Sequence, residues 1–148
     1  MRRVAASAAL ILVAAAPATP LHPGLWQVES APEAATLDGR KLAELPYAAP
    51  PPQQVCLSAA EAADPATLFA RDSAECTLTR RNVAGGRVVI AGTCPSPDAD
   101  KPRGAVRIIG RYTPESYALR FATIVNGDNG RMGFDGTVTG KRLGDCPQ

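Results

Sequence analysis

Apolar and polar side chains alternate with a period of two through residues 105–112 and again through 116–125, the signature of strands with one buried and one solvated face. Thr113-Pro114-Glu115-Ser116 lies between them, with proline supplying the fixed φ that a tight turn requires. Pairing Thr113 with Ser116 sets Tyr112 against Tyr117, Gly110 against Leu119, Ile108 against Phe121 and Val106 against Thr123, so one face of the hairpin is apolar throughout. The other face carries Arg107, Arg111 and Arg120 among Ala118, Ala122, Ile109 and Ile124, and is expected to look outward.

Similar signals predict further strands. Residues 24–30 set Trp26 and Val28 against Gln27 and Glu29, and residues 131–141 set Met132, Phe134, Gly136 and Val138 against Gly133, Asp135, Thr137 and Thr139. Residues 76–82 and 87–94 flank Gly85-Gly86, a tight-turn signal. A three-residue loop centred on Gly85 places Cys76 opposite Cys94, on the face that also holds Leu78, Val88 and Ile90. Residues 54–57 read as a brief strand carrying Cys56, whereas the Ala- and Pro-rich residues 31–53, ending in Pro50-Pro51-Pro52, predict a long surface loop. Ser58-Ala59-Ala60-Glu61 has capping-box spacing and Asp64-Pro65 offers a second cap, so one or two short helical turns should end near Ala70. Asn126-Gly127-Asp128-Asn129-Gly130 is a turn cluster. The expected fold is mainly all-β: an antiparallel up-and-down meander of about seven strands, as a curled sheet or small barrel.

Composition changes the picture at the N-terminus. Arg2 and Arg3, an apolar Ala-rich run over residues 4–16 and Ala16-Pro17-Ala18 have the layout of a secretory signal, with cleavage expected after Ala18. A cut after Ala16 would leave Pro17 at the new terminus, and the apolar run is too short to span a bilayer. The expected organisation is therefore a signal peptide over 1–18 and a single disulfide-linked domain over 19–148, periplasmic or secreted. The formal charge of +2 then resides in Arg2 and Arg3, leaving 14 Lys plus Arg against 14 Asp plus Glu. That balance disfavours nucleic acid or an anionic membrane as the obligatory partner. Residues 101–148 nevertheless carry 8 basic and 4 acidic side chains, against 6 and 10 in residues 19–100; a solvated mixed surface is the favoured reading, ahead of mutual attraction of the halves or one basic face.

All four cysteines lie beyond residue 18, and an even count in a small exported domain reads as disulfides. Opposed strand positions permit Cys76 with Cys94, which leaves Cys56 with Cys146. No C-x-x-C pair supports a redox site or a zinc knuckle.

Pro23-Gly24-Leu25-Trp26-Gln27-Val28, Val55-Cys56-Leu57-Ser58, Cys76-Thr77-Leu78-Thr79, Thr93-Cys94-Pro95 and Gly140-Lys141-Arg142-Leu143-Gly144-Asp145-Cys146 occur in an order that resembles the domain-of-unknown-function family 3617. The resemblance runs from Pro23 to Cys146 and implies an exported protein without an assigned activity. The Met- and Gly-rich stretch common before the first cysteine of that family is replaced here by Ala and Pro. A thinner likeness joins Gly24-Leu25-Trp26 and Arg142 to lipocalins, in which the indole closes one barrel end and the cation stacks on it. The competing reading makes Trp26 a core plug.

Candidate chemistry is sparse. His22, the one histidine, is flanked by Leu21 and Pro23 in an expected mobile terminus, and no G-x-S-x-G occurs. Gly136-Thr137-Val138-Thr139-Gly140-Lys141 is one residue short of a phosphate loop and lies in an expected strand. Asp128 stands among too few carboxylates for calcium, and neither Asp135 nor Glu115 has an expected carboxylate partner. No catalytic residue, metal or cofactor is expected, and the chain is not expected to be an enzyme. Two functions remain. One is a module holding a small apolar or amphipathic molecule among Trp26, Tyr112, Tyr117, Phe121 and Phe134. The other is an envelope interaction module that meets a protein partner through Arg107, Arg111 and Arg120 or the Pro-rich residues 48–53. Only 7 aromatic residues argue for a filled core rather than a roomy pocket.

Overall fold

The computed structural model describes residues 19–96, 100–127 and 130–147. The signal-peptide reading of residues 1–18 and the turn residues Asp128 and Asn129 lie outside the described residues. The described chain forms β1 (Gly24–Leu37), β2 (Arg40–Lys41), β3 (Gln53–Leu57), α1 (Ala59–Ala63), α2 (Pro65–Ala70), β4 (Thr77–Ala84), β5 (Arg87–Cys94), β6 (Gly104–Thr113), β7 (Ser116–Gly127) and β8 (Gly130–Gly144). One antiparallel sheet results, in the order β2-β1-β8-β7-β6-β5-β4, with β3 also paired to β1. The meander expected from alternation is present, with eight strands rather than seven. The sheet is open and not a closed barrel: β4 ends the strand order at one side, and β2 and β3 at the other. The reason lies between β3 and β4, where α1 and α2 bury Ala62, Pro65, Phe69 and Ala70 against the inner face instead of letting the edges meet.

The hairpin of β6 and β7 has the expected register, from Thr113 with Ser116 to Val106 with Thr123. The hairpin of β4 and β5 differs. Gly85 and Gly86 both adopt positive φ, 56° and 72°, so a two-residue turn pairs Ala84 with Arg87. This register is one residue away from the three-residue loop expected, and it would misalign the cysteines. A β-bulge at Thr79 restores the alignment, since pairing slips between Leu78 and Arg80. Leu78 below the slip and Val83 above it therefore face the same core as Val88 and Ile90.

Residues 31–37 correct the expected surface loop, because they extend β1 to fourteen residues. Ala and Pro are poor strand formers, yet here the strand is templated along its length by β8. Between the short pairings with β3 and β2, residues 29–35 have β8 on one side only, and Pro32 occupies that edge stretch. Pairing slips at Glu33, between Pro32 and Ala34, and Glu33 reaches Arg120 of β7 at 3.0 Å. This ion pair joins the acidic half of the chain to the basic half.

The short lead before β1 is tied down rather than loose. Leu21 is 2% exposed in the core, and its N–H donates to the Ala62 carbonyl at 2.9 Å. The His22 N–H donates to the Pro114 carbonyl at 2.7 Å. Residues from β1 (Trp26), β4 (Val83), β5 (Val88, Ile90), β6 (Tyr112) and β7 (Leu119) share one core with Leu57 and the helical segment.

The disulfides join Cys76 with Cys94 and Cys56 with Cys146, as expected. They close loops with sequence separations of 18 and 90 residues. On the chain-entropy model the long loop contributes about 4.6 kcal/mol and the short one about 3.2 kcal/mol. Paired Cys-to-Ser variants should therefore rank accordingly in urea unfolding, with C56S/C146S losing about 1 to 2 kcal/mol more than C76S/C94S. An equal or reversed ranking would show that loop closure in the unfolded chain does not set the stabilisation.

Candidate functional site

A cleft of about 1020 Å³ opens on the inner face of the sheet. Its floor is built by alternation: Val106 and Ile108 from β6, Tyr117, Leu119 and Phe121 from β7, and Val138 from β8. Trp26 and Val28 of β1, with Val55 and Leu57 of β3, form one wall. Leu68 and Phe69 of α2 and the following residues Arg71 to Cys76 form another, and Pro50 and Pro51 stand at the rim.

Glycines explain why so large a space stays open over a sheet. Tyr117 lies directly opposite Gly140, and Phe121 opposite Gly136. A Cβ at either glycine would collide with the aromatic ring across from it. The rings therefore lie across the bare backbone of β8 instead of standing up into the cleft. Gly92 and Gly110 likewise withhold side chains from the inner face on β5 and β6. The small aromatic count, which suggests a filled core, instead leaves a curled sheet under-filled.

The five aromatics expected to contact a ligand divide into two groups. Trp26, Tyr117 and Phe121 line the cleft together. Trp26 is fully buried, donates its indole N–H to the His22 carbonyl at 3.0 Å, and stacks on Tyr117 at 5.8 Å between centroids. Tyr112 and Phe134 are not part of the lining. Tyr112 is buried edge-to-face against Phe69 at 5.7 Å, and Phe134 packs on Tyr47, 5.6 Å away. Sequence reasoning missed Leu68, Phe69, Val55, Leu57 and Val138. The apolar spacing of Pro65, Leu68 and Phe69 in a capped helical segment was the available signal for α2.

Electrostatically the cleft is lopsided. Burial pushes the Tyr117 phenol above its ordinary value of 10.0, and the Arg71 cation offsets part of that rise. Arg71, Asp72 and Glu75 all lie on the wall that follows α2, so the charged groups gather at one end of an otherwise apolar surface. Arg71 also approaches Glu61 at 3.8 Å. Among the described residues no cluster of three His, Cys, Asp or Glu side chains is placed to hold a metal.

Trp26 and Arg142 are register partners, but Arg142 donates to the Pro23 carbonyl at 2.9 Å and pairs with Asp145 at 2.7 Å. With the sheet open, Trp26 is the core plug and does not close a barrel end. His22 Nδ1 lies 3.5 Å from Glu115, both side chains being more than half exposed. Residues 136–141 lie within β8, and the suggestion of calcium at Asp128 falls outside the described residues. The Pro-rich residues 48–53 contribute Pro50, Pro51 and Gln53 to the cleft rim, whereas Arg107, Arg111 and Arg120 are exposed on the opposite face of the sheet.

A family model described as Protein of unknown function (DUF3617) matches residues 21–146. No curated protein and no solved structure matches the chain.

The helical wall is held by two carboxylates. Ser58 and Glu61 form a reciprocal capping box: the Glu61 N–H donates to the Ser58 hydroxyl, and the Ser58 N–H donates to the Glu61 carboxylate at 2.9 Å. Asp64 caps α2 by accepting from the Thr67 hydroxyl and N–H. Hydrogen bonds from Ser58, and then the nearby Arg71, hold Glu61 below its ordinary 4.5; hydrogen bonds from Thr67 hold Asp64 below 3.8. A carboxylate lowered in the folded state stabilises fully above its unfolded value and loses that contribution as pH falls through the folded one. Melting temperature should therefore drop between about pH 5 and about pH 3, and E61Q/D64N should drop less over that interval. A double variant with the parent's full acid slope would remove these caps as its source.

Proposed function

The chain belongs to the DUF3617 family, and on the geometry of its cleft we propose that it is an exported binding module for a small apolar or amphipathic molecule. The observation that carries this reading is the cleft of about 1020 Å³ lined by Trp26, Tyr117, Leu119, Phe121 and Val138. Its volume lies at the upper end of the range for small-molecule sites, and its lining has their composition: many apolar groups, fewer polar ones, and the charged groups at one end. Burying apolar ligand surface there would gain about 25 cal/mol per Å² before the cost of immobilising the ligand. An amphipathic molecule suits the arrangement best, with its apolar body over Val106, Ile108 and Leu119 and its polar end beside Arg71.

Export is supported by the two disulfides, which persist in oxidising compartments. The periplasm is the compartment that agrees with the resemblance and with the signal-like residues 1–18. No helix among the described residues is long and apolar enough to cross a membrane. Binding rather than catalysis is the role proposed. The polar residues of the lining are Ser30, Gln53, Arg71, Asp72, Ser73, Glu75, Tyr117 and Thr123, the kind of scattered polar groups that orient a bound molecule.

The test is titration with the apolar fluorescent probe N-phenyl-1-naphthylamine, alongside native mass spectrometry of protein purified from its own envelope. The parent should bind the probe saturably and retain a small-molecule adduct. Val138→Trp, which fills the floor between Leu119 and Ser30, should weaken probe binding at least about tenfold while near-ultraviolet dichroism shows an intact fold. Phe134→Ala, outside the lining, should leave the probe affinity close to the parent's. Absence of saturable binding by the parent, or undiminished binding by the filled variant, would refute the reading.

A further inference from the structure

The outer face of the sheet carries a concentration of positive charge that the inner cleft does not use. Strand register fixes its layout. Arg87 of β5 lies directly opposite Arg111 of β6. Ile109, two residues before Arg111, pairs with Val89 on one side and Arg120 on the other. Arg107, two residues further along β6, sits between Ala91 and Ala122, and Arg80 of β4 pairs with that same Ala91. The half-buried apolar pair Val89 and Ile109 is thus ringed by Arg87, Arg111, Arg120 and Arg107, all of them exposed. A depression of about 520 Å³ opens here, lined by Arg87, Val89, Ile109, Arg111, Arg120 and Thr137 among others.

The outward positions of β4 to β7 carry no acidic side chain; Glu29, Glu33 and Asp135 lie on β1 and β8. Like charges directly opposite on neighbouring strands destabilise a sheet. Among the described residues only Arg120 of this group has a carboxylate within ion-pair distance, namely Glu33. Arg80, Arg87, Arg107 and Arg111 have none. Lysine would have spread the charge on a flexible stem, whereas each of these positions bears a planar guanidinium that accepts a carboxylate through two parallel hydrogen bonds.

We propose that this face is a docking surface for an acidic protein segment, with carboxylates seated on Arg87, Arg111, Arg120 and Arg107 and an apolar side chain between them on Val89 and Ile109. Charge complementarity and the apolar centre select this occupant. Four guanidiniums around one apolar spot match an extended segment whose carboxylates flank a hydrophobic residue, since alternate side chains of such a segment recur about every 7 Å, the spacing of Arg107, Ile109 and Arg111 along β6. A second copy docking face to face would set arginine against arginine. An anionic bilayer would meet a recessed apolar centre, and the exposed large apolar residues Leu45, Tyr47, Val125 and Leu143 all lie away from this depression. This surface is on the opposite side of the sheet from the cleft, so the two sites stand or fall separately.

The experiment is fluorescence anisotropy of a labelled peptide with alternating glutamates around a central leucine, titrated with the disulfide-intact protein at low and at physiological salt. Binding should weaken with salt, and R87Q/R111Q should weaken it at least about tenfold. The same double variant should melt at the parent's temperature or above it, because it removes a repulsive pair, and should still bind the cleft probe. R107Q, which faces no arginine across either neighbouring strand, serves as the second variant and should weaken binding several-fold. A peptide that fails to bind, or binds the variants as well as the parent, overturns the proposal. Sedimentation with phosphatidylglycerol vesicles in place of peptide binding overturns it as well, in favour of a lipid surface.

Discussion

The structure depends on the pairing of β1 with β8, strands from opposite ends of the described chain. Twelve register partners join them, from Leu25 with Gly144 to Leu37 with Met132. Without that ladder the meander of β4 to β8 would present one long unpaired edge, a poor state for a sheet with one apolar face. With it, β3 is carried in on β1, the Cys56–Cys146 bond becomes possible, and Trp26 arrives above Tyr117. The contacts of this ladder span nearly the whole domain, so closing the loop between its strands costs entropy before any contact rewards it. The long-range disulfide lowers that cost by restricting the unfolded chain.

The second constraint is where side-chain volume is withheld. An open, curled sheet covers its inner face with whatever its strands project inward and with the segment that crosses it. Here β8 projects Gly136 and Gly140, and the crossing segment, α1 and α2, caps only the end nearest Tyr112 and Val83. Phe69 fills that end by touching Tyr112 at 5.7 Å and Tyr117 at 5.3 Å. Phe121, Thr123 and Val125 lie beyond that end and line the cleft. Core and cleft are therefore two ends of one apolar surface, separated by how far the helical segment reaches.

The outer face follows from the same alternation with the opposite outcome. Each inward valine, isoleucine or aromatic on β5 to β7 fixes an outward neighbour, and those neighbours include Arg87, Arg107, Arg111 and Arg120. The bulge at Glu33 adds a carboxylate to those of Glu29 and Asp135 on the β1–β8 side of this surface and pairs it with Arg120, while the β5–β6 side stays positive. Bulges at Thr79 and Glu33 both act as one-residue corrections, the first realigning a disulfide and the second re-aiming a charge.

Much of this was legible in the chain. The register of β6 with β7 followed from Pro114 and the alternation around it, because a tight turn and a period of two admit few alignments. The two capped helical turns and the outward Arg107, Arg111 and Arg120 followed from equally local rules, whereas the expected Cys76–Cys94 pairing is met through a bulge at Thr79 rather than through the three-residue loop expected. What the chain alone did not disclose has a common cause, namely interactions between residues far apart in sequence. Residues 31–37 look like loop because Ala and Pro favour no strand, and only β8 alongside makes them one. The division of the five aromatics, with Trp26, Tyr117 and Phe121 on the cleft and Tyr112 and Phe134 away from it, depends on where α2 and Tyr47 land. Local pattern determines which face a side chain takes; the curl of the sheet and the reach of the segment packed upon it decide whether that face is filled or left open.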